Sequence, residues 1–171
     1  LEGYSLECHK KWKYSCMNIR AVLTGKPKSS FIVQGIEQYG KWLKPYVRIE
    51  VRYLPLGGGT GREREKIKER EGRNYLKLLR PDETVVLLHE QGEQYSSLEF
   101  AHKLQKWQNI GVKNLSFFLG GPLGFSDELL SREWQKVSLS RMTFTHEMAL
   151  LILLEQLYRA YCILDNRTYH Y

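Results

Sequence analysis

Two glycine-rich turns and one serine-bearing loop are where this chain could hold a ligand. Gly120-Gly121-Pro122-Leu123-Gly124 follows the apolar run 115–119. Three glycines in five residues let backbone approach a ligand with no Cβ in the way. Pro122 stiffens the turn and removes one donor. A tight strand-to-helix turn without a ligand has the same composition. Leu139-Ser140-Arg141-Met142-Thr143-Phe144 opens from a second short strand close by, and paired strand-end loops are where ligands sit in open parallel sheets. Residues 56–61 mimic a phosphate loop, but no Lys-Ser or Lys-Thr pair follows them, so they read as a flexible loop. A nicotinamide-dinucleotide enzyme would need GxGxxG and an acid at the next strand end; Leu139-Ser140 stands there instead. Cys8, Cys16 and Cys162 have no metal-ligand spacing and read as reduced thiols, so no metal is expected.

Alternating strands and helices must position these loops. Strands are expected over 18–24, 46–55, 84–88, 115–119 and 136–139, with His89-Glu90-Gln91-Gly92 as the exit loop of the third. Helices are expected from Ser29 or Ser30 to Leu43, over 62–79, from the capping-box start at Ser96 to about 108, from Ser126, and over 146–164 behind Thr145. This order predicts an α/β fold with a mainly parallel sheet flanked by helices. Strand exits at Leu88, Leu119 and Leu139 then converge on one edge.

Helix 62–79 is the most basic segment, with Arg62, Arg64, Lys66, Lys68, Arg70 and Arg73. These cannot all share one face, and several are expected to pair on the surface with Glu63, Glu65, Glu69 and Glu71. The helix's inward face is read as Ile67, Tyr75, Leu78 and Leu79. The final helix is apolar nearly all round, so it needs cover on two sides. A second subunit could supply one of them; the alternative is a central core helix of a monomer.

Five motifs run in order down the second half: LGGPxG at 119–124, SLSxMTF at 138–144, THEM at 145–148, LLEQLYRA at 153–160 and YH at 169–170. With them, residues 17–171 closely resemble the RlmH-type ribosomal RNA methyltransferases of the SPOUT superfamily. The resemblance implies methylation of N3 of a pseudouridine in 23S rRNA with S-adenosylmethionine as cofactor. It also implies a homodimer and a C-terminal trefoil knot at the cofactor site. Carried over by motif, the cofactor contacts are Leu88, Gly120, Leu139, Ser140, Arg141, Met142, Thr143 and Phe144. Backbone groups there can hold adenine and ribose, and Leu139, Met142 and Phe144 can enclose the adenine face.

Attack by an imide nitrogen requires loss of its proton, so a positioned base would help. His146 and His170 are the imidazoles nearest the motifs, although proximity and alignment could carry most of the rate instead. Tyr169 and His170 could stack on or hydrogen-bond the target base. Arg159 could hold a phosphate or a carboxylate; its alternative is a salt bridge to Glu155. Two positions depart from the pattern: His89 replaces an Asp, and Leu150 replaces an Arg. A non-catalytic ribosome-binding or assembly module of the same fold is therefore the competing function.

The whole chain has 171 residues, 42% hydrophobic and 26% charged, which bounds it to one domain with an ordinary globular core. No apolar run reaches membrane-span length and no signal peptide is evident, so the expected location is cytoplasmic. The net charge of +7 is uneven. Residues 1–80 carry 18 Lys and Arg against 8 acids, and the remainder carry 8 against 11. That basic half suggests a polyanion such as ribosomal RNA or the assembled ribosome. Residues 1–16 fall outside the resemblance and read as a translated upstream segment or expression remnant, with an ordered extension as the alternative; residues 17–171 read as the single catalytic domain.

Overall fold

The computed structural model describes residues 17–58 and 63–167. The expectations for residues 1–16, Tyr169 and His170 lie outside these described residues. Five strands form one sheet: β1 (Asn18–Thr24), β2 (Arg48–Leu54), β3 (Glu83–Gln94), β4 (Asn114–Leu119) and β5 (Gln135–Ser138). Their order is β2-β1-β4-β3-β5, and every neighbouring pair is parallel. The central strands β1 and β4 are near-continuous apolar runs, as strands covered on both faces must be.

Side-chain alternation sends the two halves of each strand into different cores. Ile19, Ala21, Leu23, Leu115 and Phe117 join the larger core with α1 (Ser30–Leu43), α3 (Ser97–Asn109) and α5 (His146–Leu164). Val22 and Phe118 point the other way, into a smaller core under α2 (Arg64–Lys77) and α4 (Asp127–Leu130). The Ser96 capping box forms as its spacing predicts: Glu99 N–H donates to Ser96 Oγ at 3.3 Å and Ser96 N–H to Glu99 Oε2 at 2.7 Å.

The third strand runs further than the sequence suggests. Residues 89–92, read as an exit loop, continue β3, which pairs with β5 both before and after an irregularity between Leu88 and Glu93. Gly92 allows this, since a Cβ there would lie 2.6 Å from the backbone of Lys136 and Val137. The final helix also finds more cover within its own chain than expected. It packs against both α1 and α3, and none of its 19 residues is exposed. Leu150, one of the two departures from the family pattern, is completely buried there and serves the core.

A buried ion pair crosses the sheet. Arg20 on β1 meets Glu83 at the start of β3, Arg20 Nε donates to Ser116 Oγ of β4 at 3.0 Å, and Ser116 donates to Glu83. The Arg20 and Glu83 side chains are 5% and 1% exposed. Removing one partner strands the other charge, so Glu83→Ala is expected to cost about 3–5 kcal/mol. Thermal denaturation should show a midpoint lower by roughly 10 °C. The double variant Arg20→Met, Glu83→Leu should lose far less; equal losses would contradict this account.

Candidate functional site

The carboxyl ends of β1, β4 and β5 meet beside the middle of β3 because the register aligns them. Leu119, the last residue of β4, lies opposite Leu23 of β1 and Leu88 of β3, and Leu88 lies opposite Val137 of β5. Tyr75 of α2 bolts two of these ends together. Its hydroxyl accepts from Thr24 N–H at 3.1 Å and Thr24 Oγ1 at 3.0 Å, and donates to the Leu119 carbonyl. Burial pushes the phenol pKa well up, so it stays a proton donor. Tyr75→Phe would leave Thr24 N–H and the Leu119 carbonyl buried without this partner. A loss of about 1–3 kcal/mol is expected in urea unfolding, with weaker cofactor binding because the Leu119 end is loosened. Unchanged values in both measurements would show the bolt to be idle.

Beyond Leu119 the chain makes a four-residue turn, closed by Gly124 N–H to the Gly121 carbonyl at 2.9 Å. Pro122 sits second in the turn and Gly124 takes φ 80°, a conformation that side chains disfavour. The turn is pressed against the body of the protein at Gly121. A Cβ there would lie 2.8 Å from Glu71 Oε2 and 3.2 Å from Thr24. Glu71 is the main correction to the surface-pair reading of the basic helix. It is 3% exposed, and its Oε1 accepts from Gly57 N–H at 2.9 Å. Its Oε2 and the Ser126 hydroxyl are buried without a hydrogen-bond partner.

The loop after β5 is stapled internally. Ser138 Oγ donates to the Ser140 carbonyl at 2.8 Å, and Met142 N–H donates to Ser140 Oγ at 3.0 Å. Met142 is 74% exposed and Phe144 37% exposed, both at the rim of the cleft. Thr145 then caps α5, its Oγ1 accepting from Met148 N–H at 3.3 Å. The cap fixes His146 at the first helical position.

These loops enclose a cleft of about 840 Å³. Of the residues singled out by sequence, Leu88, Gly120, Leu139, Ser140, Met142, Thr143, Phe144 and His146 line it together. Arg141 is exposed and not in the wall. Arg159 is not in the wall either: it pairs with Glu155, Nε to Oε1 at 2.9 Å, the salt-bridge alternative. His89 and Glu147 also line the cleft, though neither was chosen from sequence as a site residue. His89 carried a signal as a departure from the family pattern, and it packs on Phe125 with 6.5 Å between ring centroids. Glu147 read only as a helix-start acid.

The cleft suits a nucleoside with a polar tail. Its volume is that of a small-molecule site, a glycine turn forms part of its wall, and apolar and hydroxyl groups share its rim. Among the described residues no group of three or more His, Cys, Asp or Glu could hold a metal, and no helix is long and apolar enough to cross a membrane.

Comparison with known proteins bears on this geometry directly. The family model described as "Predicted SPOUT methyltransferase" matches residues 17–170. The chain belongs to the SPOUT methyltransferase family. Within it, the chain is 57% identical over 155 residues to a ribosomal RNA large subunit methyltransferase H of Kosmotoga olearia, covering 91% of this chain and 100% of the relative. A protein of the same name from Porphyromonas gingivalis W83 is 42% identical over 156 residues, covering 91% and 99%. A Legionella pneumophila methyltransferase solved with bound SAM is 13% identical at a TM-score of 0.49, covering 88% of this chain and 69% of that one. Family membership agrees with the wholly parallel sheet flanked by helices.

Proposed function

We propose that this SPOUT methyltransferase uses S-adenosylmethionine to methylate large-subunit ribosomal RNA, at N3 of a pseudouridine. The observation that carries the reading is the gathering of the GGP turn, the 139–144 loop and His146 around one cleft. Two relatives covered almost end to end bear the ribosomal RNA methyltransferase name. Gly120 and Gly121 line the cleft with backbone alone, and Gly121 is pressed onto Glu71 and Thr24 behind it, which supports a ligand held by main-chain groups. Leu88, Leu139, Met142 and Phe144 would hold the adenine, and backbone groups of Gly120 and Ser140 the ribose.

When bound, the cofactor supplies an electrophilic methyl group on a sulfonium. The chain's own task is to bring a base nitrogen into line and accept its proton. His146 is the imidazole that the α5 cap holds in the wall, and it is the proposed proton acceptor. Alignment in a closed cleft would contribute alongside it. His170 and Tyr169, which follow α5, are proposed to meet the target base, and Arg159 to act through its pair with Glu155.

The active form is proposed to be a homodimer. Its supporting observation is not uncovered core but an aromatic patch. Trp42 on α1 is 42% exposed and clusters with Tyr39 and with Tyr158 of α5, and Phe31, eleven residues earlier on the same helix, is 60% exposed. The proposed location is the cytoplasm, and residues 17–171 are the proposed catalytic domain. The test is transfer of labelled methyl groups to purified ribosomes that lack the modification, followed by mapping of the modified nucleotide. Label in large-subunit rRNA is expected; its absence from ribosomes, subunits and free rRNA alike would overturn the reading.

A further inference from the structure

The smaller helical layer carries a charged surface that the cleft does not use. Lys66, Arg70, Arg73 and Lys77 follow one another at spacings of four, three and four, which places them on one stripe of α2. All four are exposed. The stripe is about 16 Å long. Burial of Glu71 withdraws one acid from this helix's surface. Glu65 is turned to Lys68, Nζ to Oε2 at 2.8 Å, and Glu63 is a looser 3.6 Å from Lys66. Arg70 donates to the Gly58 carbonyl at 2.9 Å, a neutral partner that leaves its charge intact. Among the described residues, no carboxylate forms a salt bridge with Arg73 or Lys77. Three residues beyond Lys77, Arg80 shares the single carboxylate of Glu50 with Arg52, at 3.9 and 2.8 Å.

We propose that this stripe is the track on which the phosphate backbone of ribosomal RNA lies as it approaches the cleft. The inference rests on the ribosomal RNA reading above and says how that substrate is held. The stripe lies close to the cleft. Glu71, next to Arg70 in the chain, is packed behind Gly121, which itself lines the cleft. The middle of the stripe, between Arg70 and Arg73, therefore lies on the part of α2 that backs the cofactor wall, and its two ends extend to either side. Its chemistry fits a polyanion better than a protein. No large exposed apolar side chain lies on α2, and protein interfaces depend on such anchors. Phosphate contacts need only evenly spaced cations, and arginine binds phosphate through a two-pronged fork.

The test is the charge-reversal variant Arg73→Glu, Lys77→Glu, compared with Lys106→Glu, Lys113→Glu. The second pair is exposed, lies outside α2 and changes net charge equally. Filter binding to protein-free large-subunit rRNA is measured across a salt series, so the readout does not depend on turnover. The α2 variant is expected to bind at least about tenfold more weakly at physiological salt, with a log–log salt slope shallower by about 1.4 for two lost contacts. Its S-adenosylmethionine affinity and melting temperature should match the unmodified protein, and the control pair should bind RNA normally. Unchanged RNA binding would overturn the proposal, as would equal weakening by the control pair, which marks a net-charge effect. Weakened binding to ribosomes with normal binding to free rRNA would also overturn it, assigning the stripe to a ribosomal protein. If the unmodified protein binds RNA through the stripe but transfers no methyl group, the functional reading fails and the track stands.

Discussion

A Gly120→Val variant is expected to fold and to lose at least about tenfold in S-adenosylmethionine affinity, equivalent to 1.4 kcal/mol. The reason is indirect. A Cβ at position 120 would lie 3.2 Å from the Cα and carbonyl carbon of Gly124 and 3.5 Å from Phe125. It aims at the far side of its own turn. The γ-methyls of valine must then push Gly124 away. The turn cannot retreat into the body, because Gly121 already rests on Thr24 and Glu71. The free direction is towards the cleft, and the displaced turn would narrow the space the cofactor needs. Gly40→Ala is a matched control, since nothing lies within 4 Å of a Cβ there. Calorimetry on both variants, with circular dichroism to establish folding, checks the result. Undiminished affinity in folded Gly120→Val would place the cofactor elsewhere.

Deletion of Tyr169, His170 and Tyr171 is expected to leave folding and cofactor binding nearly intact while lowering methyl transfer by about 10²-fold or more. The geometry makes this a prediction about two subunits. Helix α5 starts with His146 in the wall of the cleft and extends about 28 Å. At its far end Arg167 lies over the ring of Tyr46, 5.5 Å from its centroid. Tyr46 lies two residues before β2, at the edge where strands begin, whereas the cleft lies where they end. Four further residues reach at most about 14 Å, and a seven-residue strand is about 23 Å long. That reach is shorter than the strand, so the homodimer proposed above predicts that Tyr169 and His170 serve a partner's cleft rather than their own. Mixing the deletion variant with Gly120→Val should restore transfer, because one composite site in the heterodimer is whole. Full activity in the deletion, or no rescue in heterodimers shown to form, would sink the shared site.

Much of this architecture could be read from residue order. The alternation of strands with helices already pointed to a mainly parallel sheet, and the loops at 120–124 and 139–144 to its strand ends. What stayed hidden depended on distant partners. Glu71 sits among charged neighbours and looks like a surface residue; it is buried because Gly57 N–H, fourteen positions earlier, supplies its hydrogen bond. Gly92 looks like a loop glycine, and its role as a close-approach point for β5 appears only when that strand is beside it. The apolar circumference of α5 suggested missing cover, which α1 and α3 largely supply. In the cleft, the motif residues could be chosen but not ranked: Arg141 and Arg159 sit beside motif neighbours in sequence while their side chains belong to other surroundings.

The strand order has a consequence for how the chain must fold. β1 and β2 are joined through α1 alone, and β3, β4 and β5 follow one another through α3 and α4, so each group can assemble from near neighbours. The seam between β1 and β4, where Asn18 meets Asn114, joins residues 96 apart. No hairpin can nucleate it, since parallel strands exclude tight turns. Closing that seam carries the largest loop-closure cost of any strand pairing in the sheet, and it is expected to form late and slowly, with the two halves docking along it. Arg20 lies on one side of it, Ser116 and Glu83 on the other. Losing Glu83 should then speed the parting of the halves more than it slows their local assembly, and most of its effect should fall on the unfolding arm of a chevron plot.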